Sequence, residues 1–186
     1  MHYYEYHHKS SETEQKAMEK FPWLFEWDYS LESIEVRYHL LEYLHREYWY
    51  GWILEKDENG KPIPIIIQWT LLYWSISHSN NYVSFIISDE PTGIDIVEYE
   101  ERDISLLDMH SDSEYDLLGA KSWINFYILW TAKESIIKCI GWQLDDMKNI
   151  VCIPKQSDMI SLFAFREKTY RIQSLLSDSV IISYII

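Results

Sequence analysis

The most constraining feature of this 186-residue sequence is an amphipathic repeat that begins directly after Ser30. Its apolar residues alternate three and four positions apart, at Leu31, Ile34, Tyr38, Leu41, Leu44 and Tyr48. This spacing places the apolar side chains on one face of a helix, and serine is a favoured residue at a helix N-cap. The pattern therefore predicts a helix over residues 30–48.

Runs of β-branched and aromatic residues before and after this segment predict strands. They lie at 2–8, 82–88, 92–97, 150–153, 160–165, 169–175 and 179–186. A second helix is predicted over 121–140. The segment from Asp57 to Gly60, which includes Asn59, predicts a turn, and Pro64 argues against a central strand in the apolar run around it.

The order of these elements, with strands on both sides of each helix, predicts an α+β fold. A chain of this length has room for one compact unit and not for two independent domains of ordinary size. We therefore predict a single domain over residues 1–186, built from two similar halves at about 1–90 and 91–186.

Composition and charge restrict the classes of partner. The chain is 47% hydrophobic, which is far from the composition of disordered proteins, and its formal net charge is -14. Nucleic acid binding depends on Lys and Arg side chains that neutralise phosphates, so this charge argues against a nucleic acid partner. Any site for a polyanion must gather the few basic residues locally.

The two cysteines and the two termini predict a cytoplasmic protein. Cys139 and Cys152 match neither a disulfide framework nor a CxxC metal motif, and two reduced thiols are the expected state. The first residues lack the basic and apolar segments of a signal peptide. The apolar tail Val180–Ile186 is too short to cross a bilayer, so no membrane association is predicted.

Three short stretches carry residues suited to chemistry. They are Trp-Ser-Ile-Ser-His-Ser at 74–79, Gly-Ile-Asp-Ile-Val-Glu at 93–98, and Trp-Thr-Ala-Lys-Glu-Ser-Ile-Ile-Lys at 130–138. Each has an ordinary structural explanation when taken alone. Asp95 fits a strand-end carboxylate, His78 a loop histidine, and Glu134 with Lys138 an ion pair one helical turn apart.

Taken together, the order and spacing of these stretches resemble the 4′-phosphopantetheinyl transferase superfamily, in particular its longer, surfactin-synthetase-activating branch. Gly60-Lys61-Pro62 precedes the serine-histidine block as a Gly-Lys-Pro does in that branch. Ser113-Glu114-Tyr115 lies where the branch has an intervening Glu-Tyr, and Arg37 matches an arginine of its first helix. The resemblance covers roughly residues 35 to 142.

The resemblance implies an enzyme with two similar α/β halves packed as one pseudosymmetric monomer. Its reaction is the transfer of phosphopantetheine from coenzyme A to a serine of an apo acyl or peptidyl carrier protein. Mg²⁺ is the implied cofactor and adenosine 3′,5′-bisphosphate the released product. Elementary chemistry agrees, since transfer of a phosphoryl-linked group requires a cation at the pyrophosphate and positive charge for the leaving group.

The resemblance also assigns roles to residues. The implied metal ligands are Asp95, Glu134 and Glu114, and the implied catalytic residues are Glu134, Lys138 and Glu114, with Glu114 accepting the serine proton. The implied coenzyme A contacts are Arg37, Gly60, Lys61, Pro62, Ser77, His78, Lys133 and Lys138. Carboxylates are hard oxygen ligands suited to Mg²⁺, and Lys138 shares a helix face with Glu134. Ser111 with Glu114 is also a capping box, which alone would explain that glutamate as the start of a helix.

One departure from the family pattern concerns the first metal motif. The longer branch carries Asp-x-Glu, whose carboxylates share one face of a strand, whereas this chain has Val97 at the second position. Glu98 would face the opposite side. The local sequence Gly-Ile-Asp-Ile-Val-Glu is closer to the short holo-carrier-protein synthase branch of the superfamily. The first alternative is non-enzymatic, either a degenerate relative that binds coenzyme A or a carrier protein without turnover or an acidic interaction protein. The second alternative is a different metal-dependent phosphotransferase. The second is disfavoured because the chain has only 5 Gly and no phosphate-binding glycine loop.

Overall fold

The computed structural model describes residues 2–26, 29–49, 54–58, 60–141, 144–157, 160–177 and 179–186. The described residues form α-helices packed on two antiparallel sheets, so the predicted α+β class is confirmed. The predicted turn at 57–60 includes Asn59, which lies outside these ranges. No helix in the described part of the chain is both long and apolar enough to span a bilayer.

The first half contains a four-stranded sheet and two helices. The strands are β1 (His2–His8), β2 (Ile65–Ile67), β3 (Thr70–His78) and β4 (Tyr82–Ser88), and the helices are α1 (Ser11–Lys20) and α2 (Leu31–Tyr48). The strand order is β1, β4, β3, β2, and α2 packs on β3 and β4. The predicted helix over 30–48 is confirmed as α2, with the Ser30 side chain accepting a hydrogen bond from the Ser33 amide at its start. Pro64 precedes the edge strand β2, as its missing N–H requires.

The second half contains a five-stranded sheet and two further helices. The strands are β5 (Ile94–Glu98), β6 (Val151–Ser157), β7 (Ile160–Phe165), β8 (Lys168–Ser177) and β9 (Val180–Ile185), and the helices are α3 (Asp112–Leu118) and α4 (Trp123–Ile140). The strand order is β5, β9, β8, β7, β6. The predicted helix over 121–140 is confirmed as α4, which packs on β5 and β9. Short 3₁₀ helices lie at Pro22–Glu26, Ile104–Met109 and Leu144–Asn149.

Both halves share a connection pattern. In each, the first strand pairs antiparallel with the last, β1 with β4 and β5 with β9. An 18-residue helix, α2 or α4, lies between them in the chain. Each half has its own core, and a third apolar cluster joins β4, β5 and β9 where the two sheets meet. A true symmetry between the halves stays a prediction.

The junction between the two sheets depends on serine side chains. Among the described residues no backbone ladder joins β3 to β5. Instead, every second residue of the serine-histidine block accepts a hydrogen bond from an amide of β5. Ser75 Oγ accepts from Ile94 at 3.3 Å, Ser77 Oγ from Ile96 at 3.4 Å, and Ser79 Oγ from Glu98 at 3.1 Å. We call these three residues the serine ladder. It holds the strand that carries Asp95 against β3.

Gly93 sets how closely β5 approaches α4. A Cβ atom at this position would lie 1.9 Å from the backbone oxygen of Ser135 and 3.0 Å from the backbone nitrogen of Cys139. Only a hydrogen atom fits there, because real Cβ contacts are longer and backbone atoms cannot rotate away. The glycine of the Gly-Ile-Asp block therefore brings the strand of Asp95 next to the helix of Glu134.

We expect Gly93→Ala to lower the free energy of unfolding by about 3 kcal/mol, because β5 and α4 must separate to admit a methyl group. Urea denaturation measures this change. Gly60→Ala is the control, since nothing lies within 4 Å of a Cβ there and its φ of +81° is the only source of strain. That variant should lose about 1 kcal/mol. Equal losses in the two variants would show that close packing at Gly93 is unimportant.

Two histidines are kept neutral by the fold. Burial, followed by the neighbouring charge of His7, lowers the pKa of His39 to about 4. Burial, followed by the charge of Lys133, lowers the pKa of His110 to about 4. Because both folded pKa values lie below the unfolded value, stability is fully present above pH 6.5 and is lost as the pH falls towards 4.

We expect the free energy of unfolding to fall by roughly 3 kcal/mol per histidine between pH 7 and pH 4. Carboxylates also contribute to acid denaturation, so the informative quantity is a difference between variants. Urea denaturation at both pH values should show a smaller pH dependence in His39→Gln and His110→Gln than in the unmodified chain. An unchanged pH dependence in both variants contradicts the assignment.

Candidate functional site

A pocket of about 390 Å³ lies at the junction of the two halves. Its walls come from β3, β5, α4, one residue of α2 and one residue of the segment before β2. The lining residues are Ser33, Lys56, Ile76, Ser77, His78, Ser79, Asp95, Ile96, Val97, Trp130, Glu134 and Lys138. All three stretches that the sequence singled out therefore meet in this pocket, which we call the seam pocket.

Asp95 is the buried acid of the seam pocket. Its carboxylate oxygen Oδ1 accepts a hydrogen bond from Ser77 Oγ at 2.7 Å and from Lys138 Nζ at 2.6 Å. Lys138 Nζ also donates to Ser77 Oγ at 2.8 Å. Asp95, Ser77 and Lys138 thus form a closed triangle of charge-assisted bonds that fixes the carboxylate in the pocket wall.

Glu134 lies one helical turn before Lys138 on the same face of α4. Burial, followed by the charge of Asp95, raises its pKa to about 7 against the opposing effect of Lys138. The two carboxylates therefore lie close enough for their charges to repel. A divalent cation between them would remove that repulsion and favour the ionised form of Glu134.

The chemistry of these donors fits Mg²⁺ in part. Asp95 and Glu134 supply hard oxygen atoms, but the described residues contain no cluster of three or more His, Cys, Asp or Glu side chains that could hold a metal ion. Mg²⁺ commonly uses one or two carboxylates and completes its shell with water and substrate oxygens. Two protein ligands are therefore enough for a site of this kind, although a weak one.

The structure shows why the side chain of Val97 lies at the pocket and that of Glu98 does not. Val97 lines the seam pocket beside Asp95, two residues along the same strand face. Glu98 binds Asn81, accepting from its backbone amide at 3.0 Å and from Nδ2 at 2.8 Å. The expected alternation of side chains along β5 is confirmed, and the nearby acid is turned away from the site.

Basic side chains also line the seam pocket. Burial, followed by the charges of Arg37 and Lys138, lowers the pKa of Lys56 to about 8. Partial burial and the charges of Lys9 and Lys138 lower the pKa of His78, so this imidazole is mostly neutral at pH 7 and can donate a hydrogen bond but adds little charge. The positive charge at the pocket therefore comes from Lys56, Lys138 and the nearby Arg37, and such a local concentration of charge is the requirement for a polyanion site in a chain of net charge -14.

Arg37 lies behind this wall and is not among the described residues that line the pocket. It is 3% exposed, donates to the backbone oxygen and side-chain Oγ of Ser33, and stacks over the ring of Tyr29 at 3.9 Å. Ser33 itself lines the pocket. Arg37 therefore supports the wall and adds its charge from behind.

Glu114 and Lys133 lie in a different place from the seam pocket. Their side chains are 8% and 4% exposed and pair at 2.8 Å. The second oxygen of Glu114 closes the predicted capping box with Ser111, and the first also accepts from the Cys152 amide at 3.0 Å. Burial acts to raise the pKa of Glu114, but the bonds from Lys133 and Cys152 outweigh it and lower the pKa. Lys133 lines a second pocket of about 300 Å³, which shares only Trp130 with the first.

A comparison with protein families identifies the chain. Residues 91–185, which are half of the sequence and carry Asp95, Glu134 and Lys138, match the model of the 4′-phosphopantetheinyl transferase superfamily. The chain belongs to this superfamily.

Curated relatives from the superfamily support the family resemblance. The chain is 37% identical over 94 residues to the 4′-phosphopantetheinyl transferase gsp of Aneurinibacillus migulanus, a match that covers 48% of this chain and 38% of the relative. It is 33% identical over 94 residues to psf-1 of Bacillus pumilus, covering 48% and 40%. It is 36% identical over 91 residues to the Bacillus subtilis enzyme, covering 46% and 39%. The matched segment thus spans well under half of each relative.

The Gly60-Lys61-Pro62 block forms a loop against the end of α4. The Asp57 carboxylate accepts from the Lys61 amide at 2.9 Å, and Gly60 adopts a φ of +81°. The side chain of Lys61 packs against Gly141, where an added Cβ would lie 2.8 Å from Lys61 Cβ. In this loop Lys56 pairs with Pro62 through the backbone, so the loop presents Lys56 to the seam pocket.

Lys56 is the pocket residue that sequence reasoning missed. Its neighbours Glu55 and Asp57 are also charged, and nothing in that run distinguishes the one that faces the site. The only available signal was its closeness to the Gly60-Lys61-Pro62 block. The backbone bridge between Lys56 and Pro62 connects the lysine to that block.

Proposed function

We propose that this chain transfers 4′-phosphopantetheine from coenzyme A to a serine of an apo acyl or peptidyl carrier protein, in a Mg²⁺-dependent reaction that releases adenosine 3′,5′-bisphosphate. One observation carries the proposal. Asp95, Glu134 and Lys138 converge in the seam pocket beside Lys56 and His78, so acids for a cation and bases for phosphates share one cavity.

The acids have the role of metal ligands in this proposal. Asp95 and Glu134 would hold Mg²⁺, and bound Mg²⁺ supplies charge neutralisation at the pyrophosphate. Ser77 fixes the Asp95 carboxylate through its 2.7 Å bond, so the ligand is preorganised. Trp130, one helical turn before Glu134, adds an aromatic side chain to the same wall of the pocket.

The basic residues have the role of phosphate ligands in this proposal. Lys56 and His78 also line the pocket and would bind the remaining phosphates of coenzyme A, with Arg37 adding charge from behind Ser33. Lys138, next to the metal ligands, would stabilise charge that develops as the pyrophosphate bond breaks. Gly60, Lys61 and Pro62, which the resemblance implies as coenzyme A contacts, are not among the described residues that line the pocket, and their loop instead supports Lys56.

Glu114 receives a different role from the one that the family resemblance implies. A carboxylate with a lowered pKa and both oxygens bound is a weak proton acceptor. Its position outside the seam pocket also separates it from Asp95 and Glu134. We propose that Glu114 holds Lys133 and the start of β6, and that it neither binds the metal nor accepts the serine proton.

We further propose a single-domain monomer that acts in the cytoplasm. Cys139 is a free and buried thiol, which fits a reducing compartment. The two halves meet through the third apolar cluster and the serine ladder, which supports one cooperative unit.

Incubation with an apo carrier protein, coenzyme A and Mg²⁺ tests the proposal. The carrier should gain the mass of one phosphopantetheine group, and excess chelator should prevent the gain. Val97 in place of a carboxylate favours the second candidate, a relative that binds without turnover. That candidate predicts binding of coenzyme A or of the carrier with no mass change at any Mg²⁺ concentration.

Val97→Glu should lower the Mg²⁺ concentration needed for half-maximal activity by about tenfold, because it adds a carboxylate on the face of β5 that carries Asp95. Activity measured across a Mg²⁺ titration gives the value. The melting temperature is the control, since Val97 also contacts the core of the second half. A lower melting temperature with an unchanged Mg²⁺ requirement would contradict the expected ligand position. Val97→Gln introduces a side chain of the same size as glutamate but without the charge, so it separates the effect of the added charge from the effect of the added bulk.

A further inference from the structure

The ammonium group of Lys138 occupies a specific position in the seam pocket. It lies 2.6 Å from Asp95 Oδ1 and 2.8 Å from Ser77 Oγ. The same Oδ1 accepts from Ser77 Oγ, whose hydroxyl proton points at the carboxylate. The lysine is therefore bound to the acid that would hold a cation, and it is not extended towards open solvent.

The Lys138 ammonium and a divalent cation would compete for Asp95. Asp95 and Glu134 together carry two negative charges when both are ionised, and Lys138 supplies the single positive charge bonded to either of them in the described part of the chain, through Oδ1 of Asp95. A divalent cation held by Asp95 and Glu134 would lie at bonding distance from the same carboxylate. Repulsion between an ammonium and a dication at that distance is strong in a partly buried site.

Lys138 can leave without disturbing the carboxylate. Its side chain is 28% exposed against 10% for Asp95, and it ends in a flexible four-carbon chain. The Ser77 hydroxyl would still donate to Asp95, because its own position is fixed by the Ile96 amide of the serine ladder. The acid therefore stays in place while the lysine changes partner.

We propose that Lys138 is a placeholder for the divalent cation. In the metal-free chain it neutralises and orients Asp95. The arrival of a metal ion displaces it, and its ammonium becomes free for an anionic group of the substrate. The inference rests on the proposed function, because it takes Asp95 and Glu134 as the metal ligands. It makes metal binding and the release of this lysine a single event.

Metal binding without coenzyme A tests the proposal. Mn²⁺ binds oxygen ligands as Mg²⁺ does, and its free concentration can be followed by electron paramagnetic resonance. Lys138→Met keeps the aliphatic length and removes the competing charge, so it should bind Mn²⁺ about tenfold more tightly than the unmodified chain. Asp95→Asn should abolish this binding and thereby identify the site.

Lys56→Met is the matched control. It removes one positive charge from the same pocket, but Lys56 makes no hydrogen bond or ion pair to Asp95 among the described residues. It should tighten Mn²⁺ binding by less than about threefold, through long-range charge alone. Equal tightening in the two lysine variants, or none in Lys138→Met, overturns the inference. Absence of any Asp95-dependent Mn²⁺ binding in the unmodified chain contradicts the metal site of the proposed function itself.

The lysine can also be observed directly. Limited acetylation followed by mass spectrometry should modify Lys138 slowly in metal-free protein and several-fold faster once Mg²⁺ saturates the site. Lys121 is the internal reference, because it pairs with Asp108 and Asp112 at 2.8 and 3.2 Å on another part of the surface. Labelling of Lys138 that Mg²⁺ does not change, under conditions where the metal binds, overturns the displacement.

Discussion

Asp95→Asn and Glu134→Gln should each reduce carrier-protein modification about a hundredfold or more and leave the fold intact, because each removes the charge of one of only two proposed metal ligands. Both substitutions keep the shape of the side chain. The amide oxygen introduced by Asp95→Asn would still accept from Ser77 and Lys138, so the triangle of bonds does not collapse. The rate of holo-carrier formation at fixed Mg²⁺ gives the loss, and a melting curve tests the fold.

Glu98→Gln is the matched control for this experiment. Glu98 lies on the same strand as Asp95 but binds Asn81 outside the seam pocket. Its amide variant should retain nearly full activity. If Asp95→Asn remains active in excess chelator, the metal mechanism is wrong. If Glu98→Gln loses as much activity as Asp95→Asn, the effect belongs to β5 as a whole and not to the pocket.

Lys138→Met should lower kcat about a hundredfold and change the affinity for coenzyme A much less, because its charge acts mainly on the breaking pyrophosphate bond. Lys56→Met should show the opposite profile, with weaker coenzyme A binding and a smaller change in kcat, since it contacts phosphates remote from the reacting bond. The two variants can be compared directly because each removes one positive charge from the same pocket.

Steady-state kinetics with calorimetric measurement of coenzyme A binding separates the two profiles. The metal-placeholder role adds a requirement, since Lys138→Met must bind metal more tightly while turning over more slowly. Normal turnover in Lys138→Met would leave Lys138 and Asp95 as an ordinary buried ion pair. Identical profiles in the two variants would contradict the proposal that Lys138 acts at the breaking bond while Lys56 only binds phosphate.

The meeting of Asp95, Glu134 and Lys138 in one pocket could be predicted from sequence because these residues lie on regular elements. Glu134 and Lys138 share one face of α4 through their spacing alone, and the alternation along β5 separates Val97 from Glu98. Lys56 could not be found in this way, since its direction depends on a loop bridge to Pro62. The sequence offered two interpretations of Glu114. The family resemblance implies a catalytic residue, and the capping box with Ser111, which the structure contains, implies a residue that starts a helix.

The helices and strands that were predicted correctly are those whose apolar face is long enough to show a clear hydrophobic periodicity. Helices α2 and α4 are of that kind, and so are β4 and β7. Helix α1 was missed because it is largely polar and buries only Thr13 and Ala17. The strand β3 was also missed, since the serines of its second half look like a loop in sequence. Their hydroxyls are in fact the acceptors for β5, which is a tertiary role that no local pattern reveals.

The serine ladder makes the width of the seam pocket a property of side chains. In a continuous sheet the gap between neighbouring strands is fixed by backbone pairing and is the same for every sequence. Between β3 and β5 it depends instead on three serine hydroxyl groups. Substitution at Ser75 or Ser79 can therefore change the distance between the two strands without removing the bond from Ser77 to Asp95. The width of the pocket can change in this way while both sheets keep their own cores.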